Sequence, residues 1–493
     1  PASLMSVTFH VALVCLFAIL APPTTIGKDD TETKGGELTT VREDEPERPK
    51  FDNPEENPEA IRSGEAINYE NPRKGPVSIP GAPSPEEQFG MSNGDDRPPF
   101  NVLPPVGFSS YLGQGAPTEG KVGNAERSVG TPGSYTIGVR PKHAGSFVGR
   151  GTASREYALA TKDASPPSEA AVARGLRWLA RVQSADGRWK LDGNFPDKGN
   201  PNDAAGTALG VLPFLAAGFT HRPAKDNAYD KPIDKAIKYL VSIQDRKTGA
   251  FARDMYAHGI CTIAICEAFG LSQDYALKRP AQNAINYIVS AQHPGGGWRY
   301  QPGQAGDTSV TGWQVMALKS GMMAGLEVPP GSLRKAQAYL DACVEPATEG
   351  YGYQGPTPTP TMSAVSLLCR QYLQGWGPQN LRMIKGIDNY IKPNSPKPDR
   401  KDIYYYYYAT QVMHHFGGTD WKAWNVTMRD QLVAEQAKNE ADLTTWGSWS
   451  PKGDAWGRTG GRLMQTSLSL LTLEVYYRYL PLYYRDTGAV ATK

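Results

Sequence analysis

Apolar positions in the C-terminal two thirds of the chain recur at helical spacing, and the helices come in two kinds. Ile233, Ile237, Leu240 and Gln244 follow i, i+4, i+7 and i+11 while Lys235 and Lys238 point away, the pattern of an amphipathic helix with one buried face. Pro232 suits its first turn. The next stretch, Met255 to Phe269, is apolar nearly all round apart from His258, Thr262 and Glu267, which predicts a helix buried on every side. The same alternation predicts buried helices at Ala204 to Ala217, Asp307 to Ala324, Thr361 to Leu373, Tyr404 to Phe416 and Arg462 to Leu480, with Pro213 expected to kink or end the first of them. Six hairpins, each a mixed helix followed by a buried one, close most simply into an all-α ring of six inner helices surrounded by six outer ones.

The hairpins repeat in sequence as well as in pattern. Arg174-Gly175-x-x-Trp178-Leu179-x-x-x-Gln183 is followed by Gly187-Arg188-Trp189. Lys235-Ala236-x-x-Tyr239-Leu240-x-x-x-Gln244 is followed by Phe251, and Asn283-Ala284-x-x-Tyr287-Ile288-x-x-x-Gln292 by Gly296-Gly297-Trp298. A fourth copy puts Val344 in the Gln position and regains an aromatic at Tyr353; a fifth has Asn394 there; the sixth has Gln436, a longer insertion, and Gly447-Ser448-Trp449. These copies resemble the QW repeat of squalene and hopene cyclases, shared in weaker form with protein prenyltransferase β subunits, over about Ser165 to Tyr484. The ending from Tyr404 to Tyr479 is similar to secreted prenyltransferase/squalene-oxidase-repeat proteins. The resemblance implies an (α/α)6 toroid, in agreement with the hairpin count. The Gln and Trp read as structural, the amide bonding backbone groups left unpaired at helix ends and the Trp covering the connection.

The resemblance does not carry the chemistry with it. Class II terpenoid cyclases protonate an alkene with an Asp-x-Asp-Asp motif, and none occurs in this chain; Gly306-Asp307-Thr308-Ser309 offers one carboxylate and no second to tune it. Protein prenyltransferases need zinc held by Asp-x-Cys and a His, whereas here Ser309 stands in the Cys position and Thr361 where the His belongs. Asp341-Ala342-Cys343 falls on an outer helix, and no Cys-Gly-Glu-Gln thioester run is present. No metal site and no cofactor are implied.

Helical spacing then places Asp203, Asp254, Thr311, Gln314, Tyr404, Tyr408, Gln411 and Arg462 on inner faces, as candidate ligand contacts in a polar central cavity. Asp307 and His258 are the candidate catalytic groups. Asp307 either caps its helix or serves as an acid; His258 is either a hydrogen-bonded core histidine or the partner of Asp307, about 6 Å away at the cavity mouth. Two function classes follow: a toroidal binding or scaffold protein holding a polar ligand or protein partner, or an enzyme of the same fold, a divergent terpenoid cyclase or a glycan lyase or hydrolase.

Composition divides the chain. Of 493 residues, 41 are Pro, and 19 of these precede Ser165, while all ten Trp lie at or after Trp178. Val11 to Ala21 is an apolar run of signal-peptide length, too short to span a bilayer, so 1–22 reads as signal peptide or anchor. Residues 23–164 are expected to be a disordered Pro/Gly-rich acidic linker, 165–485 the toroid and 486–493 a tail. The protein is therefore expected to be extracytoplasmic, with a possible membrane tether through its N-terminus. A net charge of +2 gives no reason to expect nucleic acid, and five Cys without a CxxC pair exclude a disulfide scaffold.

Overall fold

The computed structural model describes residues 152–224 and 227–479, together with Phe147 and Arg150. The apolar run 11–21, most of the 23–164 segment and the tail 486–493 lie outside the described residues. A first helix, α1 (Thr152–Thr161), precedes six hairpins. Outer α2 (Pro166–Val182) leads to inner α3 (Asp203–Ala216), α4 (Asp230–Ile243) to α5 (Met255–Ser272), α6 (Tyr275–Ser290) to α7 (Thr308–Met323), and α8 (Pro330–Cys343) to α9 (Pro360–Gln374). The fifth outer element is α10 (Leu381–Gly386), extended by a π turn over Ile387–Ile391 and a 3-10 turn over Lys392–Asn394; it leads to α11 (Ile403–Phe416). Last come α12 (Gly418–Glu435), α13 (Gly457–Leu473) and the short α14 (Val475–Arg478). Each inner helix packs on the next, and α13 packs back on α3, so the all-α toroid closes.

Local chemistry starts the helices where the ring needs them. Ser165 and Ser168 form a reciprocal capping box at α2, with Pro166 in its first turn. The inner helices α3, α5, α7, α9 and α11 are capped by Asn202, Asp254, Asp307, Thr359 and Asp402, each accepting a hydrogen bond from a first-turn N–H. Helix α3 runs through Pro213, which leaves the Leu209 carbonyl without its helical donor, and ends one turn later at Ala216. Gly461 interrupts α13 at φ +62°, where a Cβ would strike the backbone of Lys198 and Gly199, so the regular inner helix starts at Arg462.

Adjacent repeats are joined by the glutamines. The Gln183 amide donates to Gly187 O and, in the next outer helix, to Pro232 O; Gln244 does the same to Gly249 O and Pro280 O, and Gln292 to Gly296 O and Ser332 O. Gln436 closes the ring, donating to Gly447 O and to Ala171 O of α2 at 2.8 Å while accepting from Arg174 Nε. The indoles of Trp189, Trp298 and Trp449 each donate back to the outer helix before them, at Leu179, Ile288 and Leu432. Where Val344 replaces Gln, a two-residue antiparallel pair, β1 (Val344–Glu345) with β2 (Gly350–Tyr351), holds the connection instead. The aromatic of that repeat is Tyr351, not Tyr353: its N–H donates to Ser363 Oγ as the N–H groups of Trp189, Trp298 and Trp449 donate to Thr207, Thr311 and Thr466.

The folded part begins upstream of the expected boundary at 165. Helix α1 precedes it, and Arg150 is buried, donating to Glu267 at 2.7 Å and to the carbonyls of Leu215 and Arg478. Phe147 packs against Gly270. One arginine and one phenylalanine in a polar stretch carry too little apolar signal to be recognised by composition.

Replacing Gln436 by Ala removes two buried amide hydrogen bonds, leaves the Gly447 carbonyl without a donor and should cost about 3 kcal/mol. Gln292→Ala, at a more exposed seam, should cost about 2 kcal/mol. Urea denaturation of the two variants checks both, and losses no larger than those of a surface substitution would remove the clamp from the account of stability.

Candidate functional site

Asp307 is fully buried at the start of α7. Its backbone N–H bonds to Trp298 O, which seats the carboxyl directly behind the clamp. Oδ1 accepts from Val310 N at 2.8 Å and from Ser309 Oγ at 3.0 Å; Oδ2 accepts from the Tyr353 phenol at 3.0 Å and lies 3.7 Å from Arg299 Nε. The Tyr300 hydroxyl is 3.1 Å from that of Tyr353. Burial pushes the Asp307 carboxyl upward, against the hydrogen bonds and the Arg299 guanidinium that favour its charged form. Tyr353 is held in place by its own carbonyl, which accepts from Thr308 N and the Tyr339 phenol.

Beside this acid the ring is crossed by aromatics. The Tyr256 hydroxyl on α5 donates to that of Tyr404 on α11, at 2.8 Å, although α5 and α11 are opposite members of the six. Trp313 of α7 stacks on Tyr407 at 5.9 Å and meets Tyr256, Tyr404 and Tyr408. Trp456 contacts Tyr404 and stays 36% exposed, leaving one ring of the cluster open to solvent. At another level Arg478 joins Glu267 of α5, at 3.0 Å, to the Tyr407 hydroxyl of α11. Burial raises Glu267, but the Arg150 and Arg478 guanidiniums outweigh it and hold the carboxyl below its ordinary range.

His258 does not face this cluster. Its Nδ1 accepts from Phe251 N at 3.2 Å and its Nε2 lies 3.1 Å from Ala284 O on outer helix α6, with Thr262 Oγ1 also near. The ring sits edge-on to Tyr287. His258 thus fills the place that Thr207, Thr311, Ser363 and Thr466 fill in other repeats, and burial lowers its pKa to about 4. Among the described residues no hydrogen bond, ion pair or ring contact joins it to Asp307, so the expected pair is not formed.

Most other inner-face candidates also have structural partners. Asp203 pairs with Arg188 at 2.6 Å, and Asp254 caps α5. Thr311 receives Trp298 N, and the Gln314 amide donates to Met255 O. Gln411 donates to Tyr407 O. Arg462 reaches Asp197, Pro196 O and Ser448 Oγ, and so ties the first repeat to the last. Tyr404 and Tyr408 do lie in the central cluster, and the buried Tyr408 hydroxyl interacts with that of Tyr404. Instead of a polar cavity, the centre at this level holds aromatic side chains.

Sequence reasoning missed Tyr256, Tyr300, Tyr353, Trp313 and a second acid group. Asp402 accepts from Tyr405 N at 2.9 Å and Thr361 Oγ1 at 3.3 Å; nearby Asp454 accepts from Ile403 N and Trp456 N. Burial pushes Asp402 up to about 6, helped by the Asp454 charge and opposed by the Tyr405 N–H and Arg400. Both acids fall beside helix starts, and that position was the one available signal.

No family model matches the chain. A drimenyl diphosphate synthase of Streptomyces showdoensis is 28% identical over 153 residues, 29% of this chain and 27% of its own length. A second, from Streptantibioticus cattleyicolor, is 29% identical over 160 residues, 30% and 27% of the two chains. The matched region is thus about a quarter of the length of these curated relatives. Among solved structures, the α-1,6-mannanase GH76A of Salegentibacter sp. HEL1_6 aligns with 63% of this chain and 98% of its own at 10% identity and a TM-score of 0.48. The type II terpene cyclase MstE from Scytonema aligns with 62% of this chain and 97% of its own, at 13% identity and a TM-score of 0.45.

A carboxyl raised in the folded state binds its proton more tightly there than in the unfolded chain, so Asp402 favours folding when protonated. That contribution should be complete below the ordinary aspartate value of 3.8 and lost as pH rises to about 6, by about 2 kcal/mol for this half-buried group. Asp402→Asn keeps the cap and should flatten the wild-type fall in thermal midpoint across that window. An unchanged slope in the variant would assign the dependence elsewhere.

Proposed function

We propose that this protein is an extracytoplasmic binding protein, a toroid that presents a ligand site where Asp307, Tyr353, Tyr300, Tyr404 and Trp456 meet. The observation that carries this reading is the crossing of the ring by opposite helices, through Tyr256 with Tyr404 and through Arg478 with Glu267 and Tyr407. A polyprene folded for cyclisation needs an open chamber in the place these side chains occupy. Aromatic faces beside half-buried phenol hydroxyls suit a polyhydroxylated ligand, whose C–H faces stack on rings and whose hydroxyls exchange hydrogen bonds with Tyr300 and Tyr353, the latter held by the buried acid. The N-terminal apolar run and acidic stretch fit a tether that sets the ring at a distance from the envelope.

One observation favours a second reading. Asp307 carries a raised carboxyl with a phenol donor, among aromatic rings of the kind that stabilise cations. A regional likeness to drimenyl diphosphate synthases points the same way. On this reading the ring opens on substrate entry and Asp307 protonates an alkene.

The two readings separate by experiment. Titrations with soluble polysaccharides, followed by tryptophan fluorescence, should give saturable binding that Trp456→Ala and Tyr300→Phe weaken about tenfold, with the thermal midpoint unchanged. Squalene and oligoprenyl diphosphates should be recovered unaltered. A cyclised product that disappears in Asp307→Asn would overturn the binding reading in favour of the enzyme.

A further inference from the structure

Of the links between an outer helix and its inner partner, the longest are residues 183–202 in the first repeat and 436–456 in the last. Both exceed what the Gln clamp needs: the second repeat makes the same clamp with 244–254. The two long links meet at the seam where α12 packs on α2. Trp178 donates its indole N–H to Thr444 O at 2.9 Å, and Arg181 donates to Trp446 O while lying over that indole ring. Phe195 meets Trp178 edge-on at 5.3 Å, and Arg462 holds Pro196 and Asp197 from α13. Both walls of the seam are therefore fixed by buried anchors.

Between the walls lies a cleft of about 620 Å³, lined among others by Arg181, Lys190, Lys198, Asp192, Asn194 and Thr444. That volume is within the range of small-molecule sites. Its charge is one-sided, three cations against one carboxylate. Neighbouring carboxylates are engaged elsewhere: Asp186 and Asp203 pair with Arg188, and Asp197 with Arg462. Among the described residues neither Lys190 nor Lys198 forms a salt bridge; Asp192 is the one carboxylate in the lining and Asp186 acts on Lys190 only from a distance, so the cleft keeps an excess of positive charge.

We propose that this seam cleft binds a hydroxylated anion, a sugar bearing carboxylate or phosphate groups. Lys190 and Lys198 act as point charges for the anionic group, Asn194 and Thr444 serve its hydroxyls, and the exposed Leu443 covers an apolar face. The cleft shares no residue with the Asp307 cluster, so the two readings stand or fall separately. It also gives the long final insertion a role that closing the ring does not require.

The test uses the full chain and calorimetric titration with inorganic phosphate, with trigalacturonate and with neutral maltotriose. At least one of the two anions should bind saturably and more tightly than maltotriose, with affinity falling as salt is raised. The variant Lys190→Gln/Lys198→Gln should weaken that binding about tenfold with no change in thermal midpoint. Binding of phosphate alone assigns a phosphorylated ligand; binding of trigalacturonate, an acidic saccharide. Saturation by neither anion, equal affinity for maltotriose, or an unaffected double variant would overturn the proposal.

Discussion

A primary amide has two N–H donors, and in this ring one glutamine amide per clamped seam serves carbonyls that belong to different repeats. Gln183, Gln244, Gln292 and Gln436 each bond one carbonyl of the turn that follows and one near the start of the neighbouring outer helix. The turn carbonyls at Gly187, Gly249, Gly296 and Gly447 have no backbone donor, and an unpaired buried carbonyl is costly, whereas the carbonyl near the helix start gains a second donor beside its helical one. The clamp removes that cost and sets the spacing of the outer layer at once. The indole behind it fixes how far the connection stands from the inner helix, and the inner helix replies with a Thr, Ser or His side chain to the aromatic's own N–H. Where Val344 removes the amide, backbone pairing between two short strands takes over the same task.

This arrangement accounts for the centre of the ring. With the outward side of each inner helix committed to the clamp and the outer layer, only a narrow stripe of each is left to face its opposite number. In α5, α7 and α11 that stripe carries Tyr256, Trp313 and Tyr404, Tyr407 and Tyr408, large enough to touch across the axis. Asp307 belongs to both systems. Its backbone completes the turn after the Gln292 clamp, and its side chain reaches Tyr353 beside the aromatic cluster.

The alternation of half-buried and wholly buried helices was legible in the sequence because burial on one face and burial on all faces leave different patterns of polar residues. The glutamine positions were legible for a similar reason, since a polar residue at a fixed place after an apolar face has a specific partner. The direction of an inner helix's polar residues was not. A helix buried on every side gives periodicity no solvent to refer to, so Thr311 and His258, which turn outward to the aromatic N–H, were indistinguishable from residues turned to the axis. Tyr351 and Tyr353 show the same limit at finer scale. Both are aromatic and two residues apart, and only the pairing of Tyr351 with Ser363 determines which of them covers the turn and which is free to meet Asp307.

Closure through Gln436 and Arg462 has a consequence for the chain as it is made. Helix α3, apolar on nearly every side, emerges early, yet one of its two ring neighbours is α13, more than 240 residues further on. At roughly 5–20 residues per second of synthesis, that flank stays uncovered for more than ten seconds. The ring therefore cannot mature from one end, as an open stack of repeats can. Its seam forms last, and an incomplete chain presents a sticky flank for which a second incomplete chain is a ready, wrong partner.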